Sequence, residues 1–529
     1  MSRKNYYLYA MFVRKKKNRS GTVSVQIIDK SSGSYRVFRT IGSGSDAAEV
    51  ERLYRKGKQC VHTYAGQLDM FISQAKEEQI QAEESVTCQV LENVENILIN
   101  GTQLILDKVY ALTGFDSIDD DVLKQLVIAR LCQPGSKSGT VDYLKSYYDE
   151  DVHLSKIYRY LDKLYNTQKE KIQQVSVAHT RKILGGKIGL VFYDVTTLYF
   201  ESDYEDELRQ RGYSKDGKHS QPQVVLGLLV SAGGYPLSWS LFNGSQYEGY
   251  TMIPIVEDFV RRFELEDFVV VADSGLITQK NIELLESAGY KYIIGARIKN
   301  ESNEIQQWIL SLEKQDGCFY EPGKLPKSRL VVGYSQSRAK KDAYNREKGV
   351  RRLTKAYNRG TITKEHINKR GYNKFLEISD NVKVSINEQK IIEDSRWDGL
   401  KGYVTNTKLS AEQVYEQYRE LWVIERAYRV TKGTLELRPM FHFTPKRIEA
   451  HVCICFVAYK VYKEMERILK ANDINLSVDK VLNIAKTITT IKVKLPHSGD
   501  TISKTMILTN THKLIARLFE EKFWNMVSQ

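Results

Sequence analysis

The rhythm of apolar and polar positions changes along the chain, and each change predicts a different kind of element. Residues 6–42 alternate weakly, as TVSVQII and then YRVFRTIG with Ser and Gly turns between, which predicts a small basic β-rich unit over 1–45. From 46 to 185 the pattern is helical and charged. DDDVLKQLVIARLCQP, TVDYLKSYY and HLSKIYRYLDKLYNTQKEKIQQVSVAHTRKIL read as successive helices. Short helices with a Ser-Lys step are compatible with a helix-turn-helix, in which Ser155 to Leu164 would be the recognition helix.

At Gly185 the style changes. KIGLVFYDVTTLYFE, PQVVLGLLVSAGG and YPLSWSLFNG are β-branched apolar runs, followed by the amphipathic stretch TMIPIVEDFVRRF and the buried run DFVVVADSGL. KNIELLESAGY and KYIIGARI add a helix and a strand. The order β-β-β-α-β-α-β predicts an α/β fold, a mixed five-stranded sheet with flanking helices, beginning at 186–300. Residues 301–400 are irregular, basic and strand-like, and predict a β-rich insertion. Helical period returns at Ser410-Ala411-Glu412-Gln413, a capping box opening a helix expected to run to about Lys432. Pro439 stops it, and Thr444-Pro445 opens another helix. The core would therefore resume over 401–470, with a C-terminal region at 471–529.

Length and composition narrow the class. A chain of 529 residues with 42% hydrophobic positions is long enough for several packed units. Its longest apolar runs fall short of the ~20 residues a bilayer span needs. The start MSRKNYYLYAMFVRKKK lacks the apolar core of a signal peptide. Six scattered cysteines form no CxxC pair, and nine histidines show no zinc-ligand spacing, so a cytoplasmic protein with reduced thiols is expected.

The net charge of +14 is unevenly spread. Residues 1–40 carry +9 and residues 324–374 carry +13, leaving the rest at −8. Either segment alone could be a solvated basic loop; two on a slightly acidic body favour a polyanion. Lys15, Lys16, Lys17, Lys340, Lys341, Arg351 and Arg352 are the candidate nucleic-acid contacts, with Tyr334, Tyr344, Tyr357 and Tyr372 interleaved in the second segment.

Asp194 in YDVTT and Asp273 in VVVADSG stand among apolar strand residues, where a carboxylate is costly unless paired, hydrogen-bonded or metal-bound. Glu425 lies in LWVIERAYRVTKGTLELRPMFHF among Arg426, Arg429 and Lys432. An exposed Glu425–Arg429 pair would be worth a few tenths of a kcal/mol. A third ligand for a metal beside phosphate is the other reading. Three hard oxygen donors without a His or Cys cluster favour Mg²⁺ or Mn²⁺.

The order Asp on the first strand, Asp after the fourth and Glu on a late helix behind an insertion resembles the ribonuclease H-like core of DDE transposases. It is most similar to the bacterial insertion-sequence branch with the signature Tyr, two residues, Arg, three residues, Glu, six residues, Lys. Tyr418, Glu425 and Lys432 match that spacing, and Leu421 stands where the signature has Arg. YDVTTLYFE, GYSKDGKHSQPQVVLGLLVS, SQSRAKKDAYNREKGVRR and LWVIERAYRVTKGTLELRPMFHFTPKRIEAHV extend the resemblance over roughly 120–470.

The resemblance implies that Asp194, Asp273 and Glu425 are catalytic and hold two Mg²⁺ or Mn²⁺ ions. The activity would be cutting at insertion-sequence ends and joining the 3′-OH ends to target DNA. Tyr418, Arg429 and Lys432 would grip DNA near the scissile phosphate. Lys215 and His219 are further DNA candidates, and His442 and His451 read better as packed or capping residues. The basic insertion would clamp flanking DNA, and residues 1–183 would read the terminal repeats. A homodimer acting at the bacterial nucleoid, with no membrane partner, is the corresponding expectation. Rival readings are a non-catalytic DNA-binding descendant, a structure-specific nuclease on the same fold, and a carboxylate-pair glycosidase, which leaves both basic segments unexplained.

Overall fold

The computed structural model describes residues 11–519 except 119, 215–216, 277, 323–327, 364–365, 369–370, 380–382 and 497. The chain divides into two compact units, Met1–Ile97 with Ile491–Lys504, and Leu98–Thr490 with Thr505–Gln529.

In the first unit, β1 (Met11–Lys17), β2 (Val23–Asp29) and β3 (Arg36–Gly44) form an antiparallel sheet. Alternation along β2 buries Val25 and Ile27. Helix α1 (Ala47–Glu92) is capped by the Asp46 carboxylate accepting from the Glu49 N–H. It packs closely enough that a Cβ on Gly57 would meet Val13, and one on Gly42 would meet Leu53. The expected boundary at 45 therefore divides one packed body. β4 (Val94–Leu98) joins a second three-stranded sheet with Thr489–Lys494 and Thr501–Met506.

The second unit opens with helices α2 (Gly101–Leu112), α3 (Asp121–Cys132), α4 (Lys137–Tyr148), α5 (Leu154–Lys163) and α6 (Lys169–Ile183). The helix-turn-helix candidate coincides with α5, whose Ile157, Tyr160 and Leu161 are buried.

The predicted run follows as β5 (Leu190–Tyr199), β6 (Gln223–Ser231), β7 (Pro236–Asn243), α7 (Met252–Phe263), β8 (Val269–Ala272), α8 (Gln279–Ser287) and β9 (Lys291–Ala296). Gly233 and Gly234, both at positive φ, turn β6 into β7. All nine residues of β6 are buried because both sheet faces are covered. Alternation sends Phe192, Val224 and Val271 to one core, and Val191, Tyr193, Val225 and Val270 to the other.

The sheet has eight strands instead of the expected five. After α9 (Asn303–Ser311) come β10 (Phe319–Tyr320), β11 (Arg329–Tyr334), α10 (Gln336–Asn358), β12 (Leu376–Ser379), β13 (Lys383–Ile386), α11 (Glu388–Ser395) and β14 (Leu400–Thr405). The order is β10-β11-β14-β9-β8-β5-β6-β7, with β8 parallel to β5 and to β9 and the other neighbours antiparallel. Three strands of the 301–400 segment and its boundary thus extend the main sheet.

The expectation that this segment is β-rich fails in its middle. SQSRAKKDAYNREKGVRR supplies the cap, Ser335, and most of the 23-residue α10, which is braced by Arg338–Asp342 and Glu347–Arg351 one turn apart. Its apolar positions are too sparse to reveal a helical period, with Gly349 and Leu353 its only buried residues among those described. A hairpin of β12 and β13 lies beyond it.

The helix expected from Ser410 to Lys432 is divided. The Ser410/Gln413 capping box opens α12 (Ala411–Arg419), and α13 (Trp422–Arg429) follows after a break. The Leu421, Val423 and Ile424 N–H groups donate to Tyr418, Glu420 and Leu421, so the backbone tightens to i→i+3 bonding there. Past α13 it loosens into a π turn at Val430–Thr434, with the Leu435 N–H donated to Val430. α14 (Pro445–Ala471) starts with proline in its first turn and is almost wholly buried from Ala450 to Met465.

Candidate active site

Asp194 lies midway along β5, and Asp273 is the first residue past β8. The parallel register pairs Tyr193 with Ala272, so the two aspartates follow level on adjacent strands. Neighbouring strands run about 4.8 Å apart. Asp194 shares its strand face with Phe192, on the side that α12 and α13 cover through Val414, Tyr418, Ile424 and Tyr428.

The loop after Asp273 is held from several directions. The Leu276 N–H donates to the Asp273 carbonyl, the Arg297 guanidinium donates to the carbonyls of Ser274 (3.0 Å) and Gly275 (3.2 Å), and Asn281 donates to Leu276. The Tyr418 hydroxyl donates to Asp273 Oδ1 at 3.0 Å. Its ring lies over Gly295 of β9, where a Cβ would come within 2.5 Å of the hydroxyl oxygen. Burial, then the Asp273 charge, pushes the Tyr418 hydroxyl well above its ordinary pKa, so it is a donor at neutral pH.

Tyr418 was expected at the DNA, but it is 4% exposed and its hydroxyl is committed to a carboxylate. Leu421 is likewise buried.

α13 buries Val423, Ile424, Ala427 and Tyr428 and leaves Glu425 and Arg429 exposed. Glu425 and Arg429 form no ion pair among the described residues, whereas Arg426 binds Glu466. The Tyr428 hydroxyl donates to the Asp194 carbonyl at 2.7 Å and the Leu226 carbonyl at 3.2 Å, fixing α13 against β5 and β6. Lys432, in the π turn, is half-buried with its ammonium 5.8 Å from the Tyr428 ring centre.

Sequence reasoning missed Lys401. Its ammonium sits 4.3 Å from the Tyr418 ring centre. Burial and then Arg338 depress its pKa, while Asp273 and Glu425 oppose them, so it lies in the field of both carboxylates. A lysine between Leu400 and Gly402 in an otherwise apolar strand was the available signal.

The remaining candidates are dispersed. His219 is exposed, accepts from the Ser214 N–H at 3.2 Å and lies beside Tyr213. Lys215 lies outside the described residues. Lys340, Lys341 and Arg352 are exposed on α10, and Arg351 pairs with Glu347. On β1, Lys16 and Lys17 are exposed, whereas Lys15 pairs with Glu51 at 2.6 Å. The His442 and His451 rings lie 5.1 Å apart, tilted by 53°, and His451 is buried.

Among the described residues no three His, Cys, Asp or Glu side chains form a ready metal cluster. The donor chemistry nonetheless suits a hard divalent cation: two level carboxylates, with a third within the electrostatic reach of the lysine that feels Asp273.

On this mixed α/β sheet Asp194 lies within β5 and Asp273 just past the adjacent parallel β8, and the family model describing the transposase DDE domain matches residues 185–460. The chain belongs to that family. It is a DDE transposase, a divalent-metal-dependent enzyme that acts on DNA. No curated protein matches it. Similar solved structures include a piggyBac transposase synaptic complex with hairpin DNA, at 10% identity and a TM-score of 0.37, covering 72% of this chain and 70% of that one. A Mos1 transposase paired-end complex with the left transposon end is similar at 10% identity and a TM-score of 0.15, covering 35% and 57%. No helix among the described residues is long and apolar enough to cross a membrane.

Proposed function

We propose that this transposase cuts at the ends of a bacterial insertion sequence and joins the 3′-OH ends to target DNA, with Asp194, Asp273 and Glu425 as its catalytic carboxylates. The observation that carries this reading is the β5–β8 register, which sets Asp194 and Asp273 level beneath the face covered by α13. The strand order β7-β6-β5-β8-β9 within the larger sheet, with three antiparallel strands followed by two parallel ones, supports a ribonuclease H-like core.

The three carboxylates would hold two Mg²⁺ or Mn²⁺ ions, which when bound supply activation of a water or DNA 3′-hydroxyl and stabilisation of the leaving oxygen. The chain's own residues do the positioning. Tyr418 orients the Asp273 carboxylate, and Tyr428 ties α13 to the Asp194 backbone. Lys401 adds positive charge beside Asp273 and Glu425. Arg429, exposed one turn after Glu425, and Lys432 grip phosphate; they match the Tyr-Arg-Glu-Lys branch at its Lys, while Leu421 departs from its Arg. The exposed cations of α10, with His219, are further DNA contacts of the second unit, and those of β1 are DNA contacts of the first. Two ends must be paired for joining, so a homodimer at the nucleoid is the working assembly.

Labelled insertion-sequence ends with Mg²⁺ test this. Glu425→Gln is expected to abolish cleavage and strand transfer while DNA binding persists; continued cutting by that variant rejects the assignment. Cleavage without joining by the unmodified chain would instead mark a structure-specific nuclease, and binding alone a non-catalytic descendant.

A further inference from the structure

α3, α4, α14 and the loop before α14 gather five basic side chains: Arg130, Lys137, His442, Arg447 and His451. Arg130 and Lys137 are each 4% exposed. Arg130 donates to the Gly135 carbonyl at 2.8 Å, and Lys137 Nζ lies 3.3 Å from His451 Nδ1. Neither has a carboxylate partner among the described residues. Arg447 pairs with Asp162 at 3.2 Å.

Buried cations are expected to be paired, because desolvation is otherwise uncompensated. Here the neighbours make matters worse. Burial and then Arg130 hold Lys137 down to about 7. Burial and then Lys137, Arg130 and Arg447 hold His442 at about 3. The missing component is negative charge.

The surroundings offer a way in. Gln133, Ser136 and Ser138 are exposed around Lys137, and His442 is half-buried. Lys137 is the first residue of α4, and the Ser136 side chain caps that helix by accepting from the Gly139 N–H.

We propose that this cluster is an anion site for a backbone phosphodiester of DNA, a contact made by residues other than those assigned to catalysis. A phosphodiester supplies the absent charge, accepts from both Arg130 and Lys137, and belongs to the polymer on which the enzyme acts. Such a contact reads no sequence; it fixes where the helical region sits on the duplex.

The test uses the full chain and its K137M variant. Binding of a duplex of arbitrary sequence is measured from about 50 to about 200 mM salt, where each phosphate contact contributes about 0.9 to the slope of log affinity against log salt. Melting is measured with and without inorganic phosphate. K137M is expected to lower the slope by about one, equally on unrelated sequences. Its phosphate-free melting temperature should be at or above that of the unmodified chain, since an unpaired buried cation is gone. Phosphate should raise the melting temperature of the unmodified chain only. If the phosphate effect disappears in K137M but the DNA slope does not change, the site serves free phosphate and the DNA assignment is overturned. If neither changes, there is no anion site. Should K137M not fold, H442N at the rim replaces it, with the same slope and melting results required. If the unmodified chain binds no DNA, what fails is the transposase reading.

Discussion

Gly295 and Tyr418 form a coupled pair whose energetics can be worked out in advance. A Cβ at 295 would lie 2.5 Å from the Tyr418 hydroxyl oxygen, 3.2 Å from Cζ and 3.1 Å from the Ser274 nitrogen. The hydroxyl cannot swing aside freely: it donates to Asp273, and the ring is wedged between Tyr403, 4.8 Å away, and Lys401. Gly295→Ala should therefore cost about 2 kcal/mol, within the usual range for overpacking a tight site. Tyr418→Phe removes a hydrogen bond to a carboxylate, worth about 1.5 kcal/mol at the low end of its range because Asp273 is exposed. It also removes the atom that collides. The double variant should then cost about 2 kcal/mol instead of the additive 3.5 or so, a coupling of about 1.5 kcal/mol. Urea unfolding of the four chains, followed by tryptophan fluorescence under one set of conditions, measures the cycle. Additivity within about 0.5 kcal/mol would show that the hydroxyl does not occupy the space above Gly295, and the account of how Asp273 is oriented would fall.

Glu464, 1% exposed, is raised by burial, but hydrogen bonds from His179 and Arg467 outweigh that and hold it at about 2. Arg467 carries the charge at neutral pH, since burial keeps His179 below its ordinary value. A depressed carboxyl contributes stability above its unfolded pKa and loses it as pH falls from about 4.5 to about 2, here on the order of 3 kcal/mol. Acid melts should steepen in that window, and Glu464→Gln should flatten them; an unchanged acid profile contradicts the pairing. Lys460 is fully buried against the Ser176 carbonyl, and burial depresses its pKa. The unfolded chain takes a proton that the fold resists, so stability should rise with pH towards about 10. Lys460→Met should melt higher than the unmodified chain at neutral pH, with the gap closing in alkali; a lower melting temperature at neutral pH refutes this. On α10, replacing Lys340, Lys341, Arg351 and Arg352 with Gln should reduce the salt slope of DNA binding by about two or more, with Arg351 contributing least because Glu347 engages it. A full slope in fluorescence anisotropy would remove α10 from the DNA contacts.

What could be read in advance was local. The β-branched runs of β5 to β9 gave their order because alternation and strand-end residues are written in the sequence. The Ser410/Gln413 box marked a helix start because it needs only residues three apart. What escaped was set by tertiary packing. Nothing in LKGYVT says that β14 pairs with β9, so neither the wider sheet nor the place of Lys401 beside Asp273 could be foreseen. Helix α10 hid behind its charge, since only two of its residues are buried among those described. Asp194 and Asp273 were singled out as costly carboxylates, yet their level placement depends on a register that spacing in the chain does not encode.

The break between α12 and α13 falls at Leu421, the position where this chain departs from the expected signature. On an ideal helix, Tyr418 and Glu425, seven residues apart, share one face. Three i→i+3 bonds, from the Leu421, Val423 and Ile424 N–H groups, wind the chain tighter between them, so the two side chains belong to different helices. Tyr418 turns inward to Asp273, and Glu425 remains on the exposed edge of α13. Leu421 falls at the joint with 7% of its surface exposed, where a guanidinium would have to be desolvated or the turn rebuilt. The apolar residue suits this backbone, and positive charge near the carboxylates comes instead from Lys401 on β14. Lys401 reaches the field of Asp273 and Glu425 from a strand, where a reading confined to one helix could not find it.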